Sequence, residues 1–150
     1  MIEIDLNKTA EKEVFKINKS SEYNIVPNLL KNTQLKRDYI FHFESSNIKS
    51  KITYKCVAKK DTVLDLNITL SITERGLSGI EAFLEIYVLN LDKNNIITVK
   101  PFLEIPEKNI QFEHKVTIGA PNKKWIKYLN SRGLGYEESV HLISDAFITG

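Results

Sequence analysis

Few side chains in this chain are equipped for chemistry: one cysteine, Cys56, and three histidines, His42, His114 and His141. His114 falls in phase with Ile110, Phe112, Val116 and Ile118, so the alternation points its ring to the same face as those apolar side chains. A polar ring on that face must find a hydrogen-bond partner. Two readings follow: a core histidine satisfied by a neighbour, or a buried metal ligand or interface histidine. Glu113 and Lys115 are expected to point the other way. Cys56 is in phase with Ile52 and Tyr54, and a cysteine so placed acts as a small hydrophobe more often than as a nucleophile. Alone it allows no internal disulfide and cannot hold a zinc ion or an iron–sulfur cluster, which need about four ligands. Neither His42 nor His114 is near it in sequence, so no Cys–His dyad is indicated. His141 lies beside an apolar helical stripe and reads as a surface or capping residue.

The elements that must position these groups are strands. Ile2, Ile4 and Leu6 alternate with acids; Tyr39, Phe41 and Phe43 alternate with Ile40 and His42; Ile52, Tyr54 and Cys56 alternate with Thr53 and Lys55. The longest alternation is Leu64, Leu66, Ile68, Leu70 and Ile72. Leu84, Ile86 and Val88 follow, then Ile97, Val99, Leu103 and Ile105, then Ile110 to Ile118. Turn signals separate the runs at Arg75-Gly76, Ser78-Gly79, Asp92–Asn95 and Pro106–Asn109. The triplets Leu64-Asp65-Leu66, Leu84-Glu85-Ile86 and Leu103-Glu104-Ile105 recur about every twenty residues, the mark of a solenoid whose rung has that period. On that reading Glu85 and Glu104 stack on neighbouring rungs, where they solvate the outer face or form a glycosidase-like carboxylate pair.

Helical periodicity begins only after residue 120. Pro121 suits a first helical turn, with Asn122 as an alternative cap. Trp125, Ile126 and Leu129 form an apolar stripe, and Gly133 stands where a left-handed C-cap is expected. A second helix is expected over 136–147, with Glu137 and Glu138 in its first turn and Tyr136, Val140, Ile143 and Phe147 as its buried stripe. Trp125 and Arg132 suit a partner anchor; for Trp125 the other reading is docking of the helix onto the β body.

Composition excludes more than it selects. The 150 residues are 42% hydrophobic and 27% charged with net charge +2, an ordinary globular balance too mild to imply nucleic acid. No apolar run approaches the roughly 20 residues of a membrane span, and the first residues lack the pattern of a signal peptide. The expectation is a cytoplasmic protein. Nucleotide-binding loops, the G-x-S-x-G elbow and H-E-x-x-H are absent from the sequence.

The last third carries a more specific pattern. Pro101, Leu103, Glu104, Ile105, His114, Thr117, Gly119, Tyr128, Leu129, Ser131, Arg132, Gly133 and Phe147 match, in order, the C-terminal signature of the SufB/SufD family of iron–sulfur cluster assembly. The resemblance runs from about Leu64 to Phe147, with Gly76–Ala82 a looser match. It implies a mainly β fold, a short right-handed parallel β-helix over 1–119, followed by a C-terminal helix pair over 120–150. It implies a non-enzymatic, SufD-like scaffold or partner of a SufC-type ATPase docking on the helices, where Trp125, Tyr128, Arg132 and Phe147 are the candidate contacts. It also implies pairing with itself or a SufB-like partner through the β-helix. The cargo is a transient iron–sulfur cluster or iron, with His114 at the position of a histidine tied to iron handling and Cys56 a weaker candidate ligand. The chain departs from the pattern at Phe112, near where the family often carries cysteine, at Lys115 and at Val116. Family members are commonly more than twice this length. Two rivals stay open: an interaction module that never touches iron, and a carbohydrate-active β-helix enzyme using acids on successive rungs.

Overall fold

The computed structural model describes residues 1–105 and 109–150. The strands, in chain order, are β1 (Ile2–Asp5), β2 (Lys12–Ile17), β3 (Ser21–Val26), β4 (Leu29–Leu30), β5 (Thr33–Phe43), β6 (Lys49–Ala58), β7 (Thr62–Ser71), β8 (Ile80–Asn90), β9 (Ile96–Glu104) and β10 (Ile110–Gly119). Helices α1 (Lys123–Ser131) and α2 (Tyr136–Thr149) follow. All strand pairs are parallel. One sheet runs β1-β3-β6-β8-β10, with β4 also on β6, and the other runs β2-β5-β7-β9. The chain alternates between the sheets as it advances, so the fold is a β-solenoid of about four turns.

The period differs from the sequence expectation. Thr33 stands beside Thr62, Lys49 beside Glu81, and Ile80 beside Ile110, so one turn takes about 30 residues. The twenty-residue step arises because each turn holds two strands and each strand carries the apolar–polar alternation. Leu64-Asp65-Leu66 lies on β7 and Leu84-Glu85-Ile86 on β8, in different sheets. Glu85 and Glu104 therefore do not stack. Glu85 pairs with Lys51 at 3.2 Å, while Glu104, across the solenoid on β9, accepts a hydrogen bond from Ser71 Oγ at 3.0 Å.

The core fills the space between the sheets. Leu64, Leu66, Ile68 and Leu70 face Ile52, Tyr54, Leu84 and Ile86, all fully buried. At the N-terminal end Phe15 stacks on Phe41 (5.0 Å between centroids) and meets Tyr39 edge-on (5.2 Å). The turns also stack. Asn47, Gly79 and Asn109 all have positive φ and form one column, Asn47 N–H donating to Ser78 O and Gly79 N–H to Asn109 O. A Cβ at Gly79 would collide with Asn47 Oδ1. The other residues of the Pro106–Asn109 turn lie outside the described residues.

The helices begin and end as their local chemistry dictates. Asn122 caps α1 by accepting from the Lys124 N–H at 2.9 Å, and Pro121 precedes the cap. At the far end Gly133 (φ +95°) donates to Asn130 O and Leu134 to Leu129 O, the paired bonds of a Schellman motif. In α2 Val140, Ile143 and Phe147 are half-buried, but Tyr136 is 63% exposed, which corrects its place in the expected stripe. Ser139 and Ser144 are the buried positions instead. Their hydroxyls donate to Gly135 O and Val140 O one turn back, so burial leaves no orphan polar atom and the small side chains allow close approach. α2 lies against β6, and the outward-facing Val57 and Leu89 are buried.

Candidate functional site: the last rung and the helix pair

β9 and β10 form the last turn of the solenoid. Each pairs with one strand only among the described residues, β9 with β7 and β10 with β8, so each leaves one backbone edge unpaired. The inward side chains of this turn are only partly covered. Ile97, Val99, Pro101 and Leu103 on β9 are half-buried, as are Ile110 and Val116 on β10, and Ile118 is exposed. Phe112 is the exception, 8% exposed with its ring 5.1 Å from that of Phe43.

His114 stands in this row, opposite Leu84 in the register. The alternation placed it correctly on the inner phase. It does not place it in a core: Leu84 is fully buried, whereas His114 is exposed and makes no hydrogen bond or ion pair among the described residues. The physical reason is that phase fixes which face a side chain takes, while burial requires a further layer, and among the described residues no strand lies beyond β10. The expected core partner is therefore not found. Glu113 and Lys115 face outward as expected, with Lys115 Nζ 5.6 Å from the centre of the Tyr87 ring.

Cys56 is fully buried on β6. Burial pushes its thiol up to about 11, against a smaller lowering from Tyr54, so at neutral pH it is protonated and a poor ligand. In the register Cys56 stands beside Val88 and Ile118, two strands and four residues away from His114. Strand spacing of ~4.8 Å and a rise of ~3.3 Å per residue separate the two by about 16 Å, too far for one metal. Among the described residues no group of three His, Cys, Asp or Glu side chains is arranged to hold a metal ion. His42, on β5 in the other sheet, lies 3.3 Å from Thr73 Oγ1, and His141 pairs with Asp145 at 3.2 Å.

Beside this rung, α1 presents two different faces. Ile126 and Leu129 are half-buried. Trp125, which the sequence also assigned to the stripe, is 59% exposed and does not dock onto the β body. Tyr128 and Arg132 follow at the next turns, and the Arg132 guanidinium lies over the Tyr128 ring at 5.4 Å while Nη2 donates to Tyr128 Oη at 3.3 Å. An exposed aromatic–cation row of this kind suits a protein contact. Phe147 is half-buried in α2 and serves the packing at least in part.

The sequence reading missed β2, β3 and β4. Glu13 takes an inward position in β2 beside Phe15 and Ile17, which breaks the apolar alternation that would have revealed the strand. That the last rung in particular stands open has no local signal in the sequence. Among the described residues no helix is long and apolar enough to cross a membrane. A family model described as SUF system FeS cluster assembly, SufBD core domain, matches residues 17–147. No curated protein matches the chain.

Proposed function

Since the chain belongs to the SufBD core family of the SUF iron–sulfur assembly system, we propose that it is a SufD-like, non-enzymatic assembly partner whose last rung completes a site shared with a second β-helix. The observation that carries this reading is His114: inward in phase, uncovered, unpartnered among the described residues, and set on a strand with a free edge. A second SufB-like chain, or a second copy of this one, adding a strand to β9 or β10 would satisfy the open backbone groups and bury Val99, Leu103, Val116 and Ile118. It would also bring its own ligands toward His114. The nascent cluster is cargo, held between chains; the last rung offers it one exposed imidazole, that of His114, and no thiolate. The helices supply the second contact. Trp125, Tyr128 and Arg132 face solvent in one row, and a SufC-type ATPase docking there would link nucleotide turnover to the pairing of the β-helices. The setting is the cytoplasm.

A second reading is favoured by one observation. Cys56 is sealed in the core, so a chain without accessible thiol serves equally as an interaction module that never binds iron. Co-purification with the cognate SufB-like protein and ATPase tests the shared architecture of both readings. A complex containing all three chains is expected; absence of both partners from well-folded protein would refute it. Iron loading then separates the two: His114→Ala lowers it only if the shared site is real.

A further inference from the structure

Two open cavities flank Tyr136 where the helix pair meets the turns of the solenoid. The first, about 590 Å³, is lined by Ile118 and Ile126 together with Lys93, Lys123 and Lys127, with no acid among its lining residues. The second, about 570 Å³, is bordered by Lys31, Lys59 and Lys60, with Asp92 and Glu137 its two acids. Leu91 and Tyr136 line both, so the two form one groove with an apolar middle and six lysines along its sides.

The charges of this groove are unbalanced. Every lysine ion pair among the described residues uses Lys8, Lys16, Lys36, Lys49 or Lys51, none of which borders it. The first turn of α1 compounds the imbalance: it holds Lys123 and Lys124 and no acid, so two cations sit at the positive end of the helix dipole. An anion from outside would relieve both. The lining argues for a protein segment over nucleic acid, because its aromatic rings are only Tyr136 and His141, its other apolar residues are aliphatic, it has no arginine, and it belongs to a chain of net charge only +2.

We propose that this groove receives an acidic segment of the docking ATPase, with an aliphatic or aromatic side chain of that segment seated on Leu91 and Tyr136. The inference rests on the ATPase-docking reading above and adds the chemistry of the partner and a second contact face, since Lys123, Ile126 and Lys127 lie on a different side of α1 from Trp125 and Tyr128. The attraction is set by partly exposed charges, so it depends on salt.

Isothermal titration of the intact chain with the cognate ATPase tests it, at salt concentrations from about 0.05 to 0.5 M. The variants are Lys93→Glu/Lys127→Glu and, as a charge-matched control away from the groove, Lys12→Glu/Lys19→Glu. All four positions are exposed, and thermal melts verify that each variant folds. Expected is a loss of affinity of at least about tenfold in the groove variant, a flatter salt dependence, and little change in the control. Equal affinity and salt dependence in the groove variant and wild type would overturn the groove while leaving ATPase docking intact. Equal weakening in both double variants would reduce the effect to overall charge and also overturn it. No binding by wild type overturns both readings.

Discussion

His114 and Phe112 are two residues apart on one strand and point to the same side, yet their burial gives them very unequal contributions to stability. Phe112 is packed on Phe43 and almost closed from solvent. Truncating it to alanine removes most of a buried aromatic side chain, a loss of ~3–5 kcal/mol in a closed core. The open rim of the last rung lets neighbours and water relax into the gap, so the lower end, about 3 kcal/mol, is expected. For a chain of this size about 1 kcal/mol moves Tm by roughly 2–4 °C, which puts Phe112→Ala about 6–12 °C below wild type. His114→Ala deletes an exposed ring with no hydrogen bond among the described residues, so its effect should stay within about 0.5 kcal/mol, or ~2 °C. A satisfied core histidine would instead cost ~1–3 kcal/mol through the partner left unpaired. Thermal and urea melts of the isolated chain decide between them. A drop of more than about 4 °C for His114→Ala would show the ring packed and bonded, and the open-rung account of the site would fail.

Other consequences can be read with simple assays. Burial raises the Cys56 thiol from 9.0 to about 11 in the folded chain. Its contribution to stability is therefore complete below pH 9, and is lost as pH rises from 9 through about 11, because the unfolded chain releases the proton first. Urea midpoints of Cys56→Ala should fall less steeply over that interval than those of wild type; parallel curves would contradict the assignment. Gly79→Ala combines a positive φ with the collision at Asn47 and should destabilise by at least about 1 kcal/mol, and a neutral outcome in urea melts would mean the turn column yields freely. Trp125→Ala and Arg132→Ala should weaken ATPase docking several-fold while Tm stays within ~2 °C of wild type, because both side chains are exposed. Undiminished docking in both would remove the aromatic–cation row from the interface.

Much of the architecture was legible because the inner positions of β5 to β8 are apolar almost without a break. Tyr39, Phe41 and Phe43, then Leu64 to Leu70, name their strands and their inward faces by alternation alone. The rung period was misread because alternation marks strands without saying which sheet each joins; that depends on the corner turns, whose positive-φ residues Asn47 and Asn109 are not glycines and give a weak signal. Glu13 hid β2 in a similar way. At the site the residues were identifiable but their surroundings were not. The same alternation puts Cys56 in a closed core and His114 at an open end, and only the number of strands beyond each decides which. Trp125 shows the corresponding ambiguity on a helix: its spacing from Leu129 fits a stripe, but Ile126 takes the inward position and leaves the indole in solvent.

Anaerobic reconstitution with iron and sulfide, read by absorption spectra and iron content, tests the central proposal most directly. It is made on the isolated chain and on its complex with the SufB-like partner and ATPase, for wild type, His114→Ala and Cys56→Ala. The isolated chain is expected to take up no stoichiometric cluster. The complex is expected to load one, less well with His114→Ala and unchanged with Cys56→Ala. Full loading of the His114→Ala complex, or a stoichiometric cluster on the isolated chain that is lost with Cys56, would contradict a shared site built on the open last rung.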